Sequence, residues 1–145
     1  TGNLYLPKSN EEINNGVILD LDSQNLKFEN GKLVMNKNNL IERLKNNDKL
    51  VKFVPFGYKT GSQNLSEFQK NLYIIERYGK EGAEKIAEIA SNYKNNPYLY
   101  SFNSIDEEKV RMSALCLSWN FGDRLDVDGN SWGDVVYGLA FGVKK

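Results

Sequence analysis

The chain has 145 residues, 40% of them hydrophobic, including 8 Tyr, 7 Phe and 2 Trp, which suits one domain around a single core rather than global disorder. Lys and Arg total 19 and so do Asp and Glu, so the formal net charge is zero and no broad basic field is offered to nucleic acid. There is no histidine and one cysteine, Cys116, which removes an intramolecular disulfide, Cys-rich zinc sites and the Cys–His and Ser–His pairings, and lowers the expectation of catalysis.

No apolar run approaches the roughly 18 residues that a membrane span needs. The opening Thr1-Gly2 lacks Met, the pattern of a truncated chain or of one that has lost a signal peptide.

After a polar opening, residues 16–22 read as a strand. Asn30-Gly31 joins Leu26–Glu29 to Lys32–Met35, and Asn-Gly accepts the positive φ values of a type I′ turn, so a hairpin is expected. Asn39 is placed to cap a short helix, Leu40–Lys45, with Glu42 reaching back. Leu50–Val54 is a strand stopped by Pro55, and Phe56–Gln63 is a loop. Leu65, Phe68, Leu72 and Ile75 recur at helical spacing, with Gly79 as the closing glycine. Ala83, Ile86, Ala87 and Ala90 form the narrow buried stripe of a second helix, suited to lying close on a sheet. From Tyr98 the pattern turns to β: Tyr98–Phe102, then Val110–Leu117 with Val110, Met112, Ala114 and Cys116 on one face, then Arg124–Val127 and Leu139–Val143. The expectation is one α+β domain over residues 1–145: a hairpin region to residue 49, helices over about 64–94, and a strand-and-loop C-terminal third.

That last third has an unusual composition. Lys, Glu and Gln make up 29 of the 145 residues, yet none lies between Val110 and Val143, where about seven would fall at the average density. The same stretch holds Trp119 and Trp132, four aspartates (Asp123, Asp126, Asp128, Asp134) and glycines 122, 129, 133, 138 and 142. Rigid aromatics with small polar residues are the chemistry of a recognition loop, large contact area at little entropic cost. β-rich cores and tight turns also lack Lys and Glu, which is the bland alternative.

Three chemistries can be asked of the aspartates. Asp126-Val127-Asp128-Gly129-Asn130 opens like a calcium loop, but the glycine and glutamate required at positions six and twelve are Ser131 and Tyr137, so a sharp turn around Gly129 is the expectation. Paired carboxylates for glycoside hydrolysis need two aspartates facing each other, which loop spacing does not establish, and Asp is a common turn residue. Cys116, without histidine, is expected to pack rather than to attack.

The segment 54–61 (Val-Pro-Phe-Gly-Tyr-Lys-Thr-Gly), the helical Arg77-Tyr78-Gly79-Lys80-Glu81 and Lys85–Ala90, then Asn96-Pro97-Tyr98 and the ending 137–145 (Tyr-Gly-Leu-Ala-Phe-Gly-Val-Lys-Lys) resemble an archaeal, nanoarchaeal-type variable protein of a diversity-generating retroelement. The resemblance covers roughly residues 50–145, and the Gly-x-Ala-Phe-Gly-Val ending is similar to those of C-type lectin-like modules. It implies a C-type lectin-like α+β fold, two helices packed on a small antiparallel sheet with a loop-rich C-terminal variable region over about 114–143. It also implies a segment rewritten by adenine-directed mutagenesis of Asn codons, no catalysis, no cofactor, and a macromolecular ligand, protein or cell-surface component. Display at a cell or virion surface would run through a region outside this sequence.

Changing the two adenines of an AAY codon cannot produce Lys, Glu, Gln, Met or Trp, which agrees with the depletion. Under this reading the ligand-binding, variable positions are Cys116, Ser118, Asn120, Phe121, Asp126, Asp128, Asn130, Ser131, Gly133, Val135, Val136 and Tyr137. Trp119 and Trp132 are a fixed platform, and Leu117, Leu125, Val127, Leu139, Ala140, Phe141 and Val143 are scaffold by alternation. The competing expectations are a carboxylate-dependent glycan-acting enzyme and a calcium-assisted carbohydrate-binding module.

Overall fold

The computed structural model describes residues 1–118 and 123–131. In chain order the elements are β1 (Gly2–Leu6), β2 (Gly16–Asp20), β3 (Leu26–Glu29), β4 (Lys32–Met35), α1 (Lys37–Lys45), β5 (Val51–Pro55), β6 (Gly61–Ser62), α2 (Leu65–Lys70), α3 (Leu72–Ala90), β7 (Tyr98–Tyr100), β8 (Lys109–Ser118) and β9 (Arg124–Ser131). Seven strands form one curled sheet in the order β5-β2-β1-β8-β9-β7-β6, and β3-β4 stand apart as a hairpin. The β7–β9 pair is parallel and the other pairings are antiparallel.

This overturns the expected C-type lectin-like architecture of two helices on a small antiparallel sheet. The molecule is mixed α/β, mostly sheet, with three helices among the described residues. The main reason is β1. Gly-Asn-Leu-Tyr-Leu reads as a polar opening, yet all five residues are buried and the strand lies in the middle of the sheet. Asn3 is tolerated there because its amide donates to Gly129 O at 2.9 Å and its carbonyl accepts from Arg77.

Each face of the sheet carries a packed cluster. On one, here the α3 face, Tyr5, Val17, Leu19, Val54, Leu99, Leu125 and Val127 pack with Phe68, Tyr73 and Ile74 of α2 and α3 and with the Ala83, Ile86, Ala87, Ala90 stripe, which is buried as its small side chains imply. On the other, the α1 face, Leu4, Leu6, Ile18 and Val51 meet Leu40 of α1, with Met35 of the hairpin beside them.

Local signals explain most of the helices. Gly79 (φ 80, ψ 162) is non-helical and splits α3 into two helical segments across a kink, where the sequence places a glycine stop and a second helix. α1 begins earlier than expected: Asn36, not Asn39, is the cap, its side chain accepting from Asn39 N at 3.1 Å. The reciprocal capping box sits at α2, where Asn64 and Glu67 exchange bonds of 2.8 and 3.0 Å. Asn64→Ala is expected to cost about 1 kcal/mol in urea denaturation, a typical N-cap loss. The hairpin turns at Asn30 (φ 52) and Gly31 (φ 77), as a type I′ turn requires.

Candidate functional site

The β8–β9 ladder sorts the C-terminal residues onto two faces. Cys116 is opposite Asp126, Ala114 opposite Asp128 and Ser118 opposite Arg124, while Leu115 and Leu117 are opposite Val127 and Leu125. Successive residues of a strand face opposite ways. Leu125 and Val127 are fully buried in the α3 core. Cys116, Asp126 and Asp128 therefore share the α1 face. On the neighbouring β7, Tyr98 pairs with Asp126 and Tyr100 with Asp128, which puts both tyrosines on that same face while Leu99 between them is buried in the core.

Arg124 ties this face together. Its guanidinium lies 4.3 Å from the Tyr98 ring centre and 5.8 Å from that of Tyr100. Its Nε donates to Asp126 Oδ1 at 2.8 Å and a terminal nitrogen to the Tyr100 hydroxyl at 2.6 Å. The two tyrosine rings are 4.4 Å apart and tilted by 41°. The result is a preformed layer of two aromatic rings and a stacked guanidinium, with Tyr100 exposed and Cys116 and Asp128 half-buried beside it. Asp126 is buried, with its carboxylate held by Arg124.

A register shift between Met112 and Ala114 puts an extra residue into β9 near Gly129 and Asn130. It turns Asn130 toward Arg111, whose Nε donates to Asn130 Oδ1 at 2.9 Å, and separates Asn130 from the Asp126–Asp128 row. Ser131 is opposite Met112 at the end of the ladder. The expected turn around Gly129 is corrected: residues 124–131 are one strand, so Asp126, Asp128 and Asn130 do not wrap as a calcium loop would. Among the described residues no group of three His, Cys, Asp or Glu side chains is arranged to hold a metal ion.

The aspartates required by a glycosidase face each other across a cleft, whereas Asp126 and Asp128 stand side by side on one strand with Asp126 engaged by Arg124. Asp123 (φ 51) braces the turn after α3, its carbonyl accepting from Asn95 N at 3.1 Å and its carboxylate from Lys94 N at 3.3 Å. Asn120, Phe121, Gly133, Asp134, Val135, Val136 and Tyr137, the platform residues Trp119 and Trp132, and the scaffold positions Leu139, Ala140, Phe141 and Val143 lie outside the described residues.

Tyr98, Tyr100 and Arg124 were not among the expected site residues. The alternation Tyr98-Leu99-Tyr100 did carry the signal that both rings share one face. What was missing was the parallel β7–β9 pairing that joins them to Arg124.

Burial raises the carboxyl pKa of Asp126 above its ordinary value against the opposing pull of Arg124. It raises that of Asp128 too, opposed by the Asn130 N–H and reinforced by the Asp126 charge. A carboxyl whose folded pKa exceeds its unfolded one takes up more protons folded than unfolded. Its favourable contribution is therefore present below the unfolded pKa, about 3.9, and is lost as pH rises through the folded value. Asp128→Asn removes that loss, so the melting temperature of D128N relative to wild type is expected to climb between pH 4 and 7. A difference that stays constant with pH contradicts the assignment.

Comparison with protein-family models, with curated proteins and with solved structures found no match. Among the described residues no helix is long and apolar enough to cross a membrane.

Proposed function

We propose that the chain is a non-catalytic binding module that meets a protein partner through the α1 face of β7, β8 and β9. Tyr98, Tyr100 and Arg124 act as a fixed stacking layer, and Cys116 and Asp128 are the exchangeable side chains around it. The observation that carries the reading is the division of the ladder: positions 116, 126 and 128 share one face, while Leu125 and Val127 fill the core behind them. The side chains at 116 and 128 can change while Leu125 and Val127 keep the sheet in place. Tyr and Arg are the residues most used to anchor protein contacts.

We further propose that residues 114–143 are diversified by a retroelement through adenine-directed mutagenesis, now on a curled seven-stranded scaffold. Support comes from the absence of Lys, Glu and Gln between Val110 and Val143. The flanking DNA tests this. The expected finding is a near-copy of the 3′ coding end that differs at adenines, beside a reverse transcriptase gene. A locus with neither contradicts diversification and leaves the binding face to be judged separately.

A further inference from the structure

We infer that the chain binds a small inorganic anion of the halide class between α3 and the sheet, with Arg77 as its counter-charge. Arg77 is 8% exposed. Its terminal nitrogens donate to Thr1 Oγ1 and Asn3 Oδ1, both neutral acceptors, and its guanidinium lies 5.5 Å from the Tyr73 ring centre. Among the described residues no ion pair includes it. Its Nε is buried without a hydrogen-bond partner, and so is the hydroxyl of Tyr73, one turn earlier on the same helix. A buried cation is costly unless paired, and each buried donor without an acceptor calls for one.

Among the described residues, the groups whose fields reach Arg77 are the Tyr5, Tyr58 and Tyr78 hydroxyls and the Thr1 ammonium, and no carboxylate is among them. Burial lifts the hydroxyls of Tyr5 and Tyr58 well above their ordinary range and that of Tyr78 to about 12, so at neutral pH they stay protonated and supply no negative charge. A water molecule would satisfy the orphan donors but leave the charge uncompensated. A monatomic anion at Arg77 Nε supplies both an acceptor and the counter-charge, and so few orphan donors do not match the several oxygens of a phosphate. This site lies on the α3 face, opposite the binding face proposed above, and stands independently of it.

The test compares melting temperatures in sodium chloride and sodium gluconate at equal ionic strength. Wild type is expected to be more stable in chloride, gaining roughly 4 °C per tenfold rise in chloride once the site is filling. Arg77→Met, similar in length and uncharged, is expected to be indifferent to the anion. Tyr73→Phe keeps the ring, removes one donor and should weaken the chloride dependence without abolishing it, which keeps the question answerable if Arg77→Met does not fold. In crystals grown with bromide, an anomalous peak is expected beside Arg77 Nε. Equal melting temperatures of wild type in the two salts, or a water rather than bromide at Nε, would overturn the inference.

Discussion

Gly129→Ala is expected to destabilise the chain by about 4 kcal/mol, measured by urea denaturation. A Cβ at this position would stand 2.2 Å from the Tyr73 hydroxyl, 2.9 Å from its ring carbon Cζ and 3.0 Å from the Tyr5 hydroxyl. None of these can yield easily, because Tyr5 and Tyr73 are both fully buried. Overpacking of a dense core costs roughly 1–3 kcal/mol. Shifting β9 would also loosen the bonds that Gly129 O accepts from Tyr5 at 2.6 Å and from Asn3 at 2.9 Å, about 1 kcal/mol each. Gly31→Ala is the control: nothing lies within 4 Å of its Cβ, so only the strain of φ 77 remains, about 1 kcal/mol. Equal losses for the two variants would show that the core around Tyr73 yields to the added methyl and would contradict the close approach as the reason for Gly129.

Arg124→Ala is expected to cost about 3 kcal/mol, because it strands a buried carboxylate. Asp126 is 5% exposed and Arg124 is its ion-pair partner. The double variant Arg124→Ala/Asp126→Asn removes the stranded charge and should regain about half of the loss. The two side chains would then be coupled in a double-mutant cycle. Strict additivity would mean that water, not Arg124, satisfies Asp126. The same substitution also dissolves the stacking layer, because Arg124 is what bridges Tyr98 and Tyr100 to β9.

The parts of the fold that could be read from sequence are those decided by neighbours in the chain. Asn30-Gly31 dictates its hairpin, Gly79 breaks its helix, and the Ala83–Ala90 stripe announces close packing on a sheet. The parts that could not be read are decided by distant partners. Asn3 sits inside a central strand only because Gly129 and Arg77, 126 and 74 residues away, complete its hydrogen bonds. Reading Gly2–Leu6 as a polar opening and a turn at Gly129 left β1 out of the sheet and cut β9 short, while the two-helix, small-sheet architecture came with the C-type lectin resemblance and is not the one found.

For the candidate site, alternation alone separated Leu125 and Val127 from Asp126 and Asp128. It did not reveal that Asp126 is roofed by Arg124, or that a bulge swings Asn130 toward Arg111. The layer of Tyr98, Tyr100 and Arg124 depends on a parallel strand pairing that no local pattern encodes.

The claim that one face of the ladder is for display and the other for folding is tested most directly by saturation mutagenesis of positions 114–131, with protease resistance as the readout of folding. The account predicts broad tolerance at positions 116 and 128 and near-complete intolerance at 125, 127 and 129. Positions 116 and 128 proving as restrictive as 125 and 127 would contradict it.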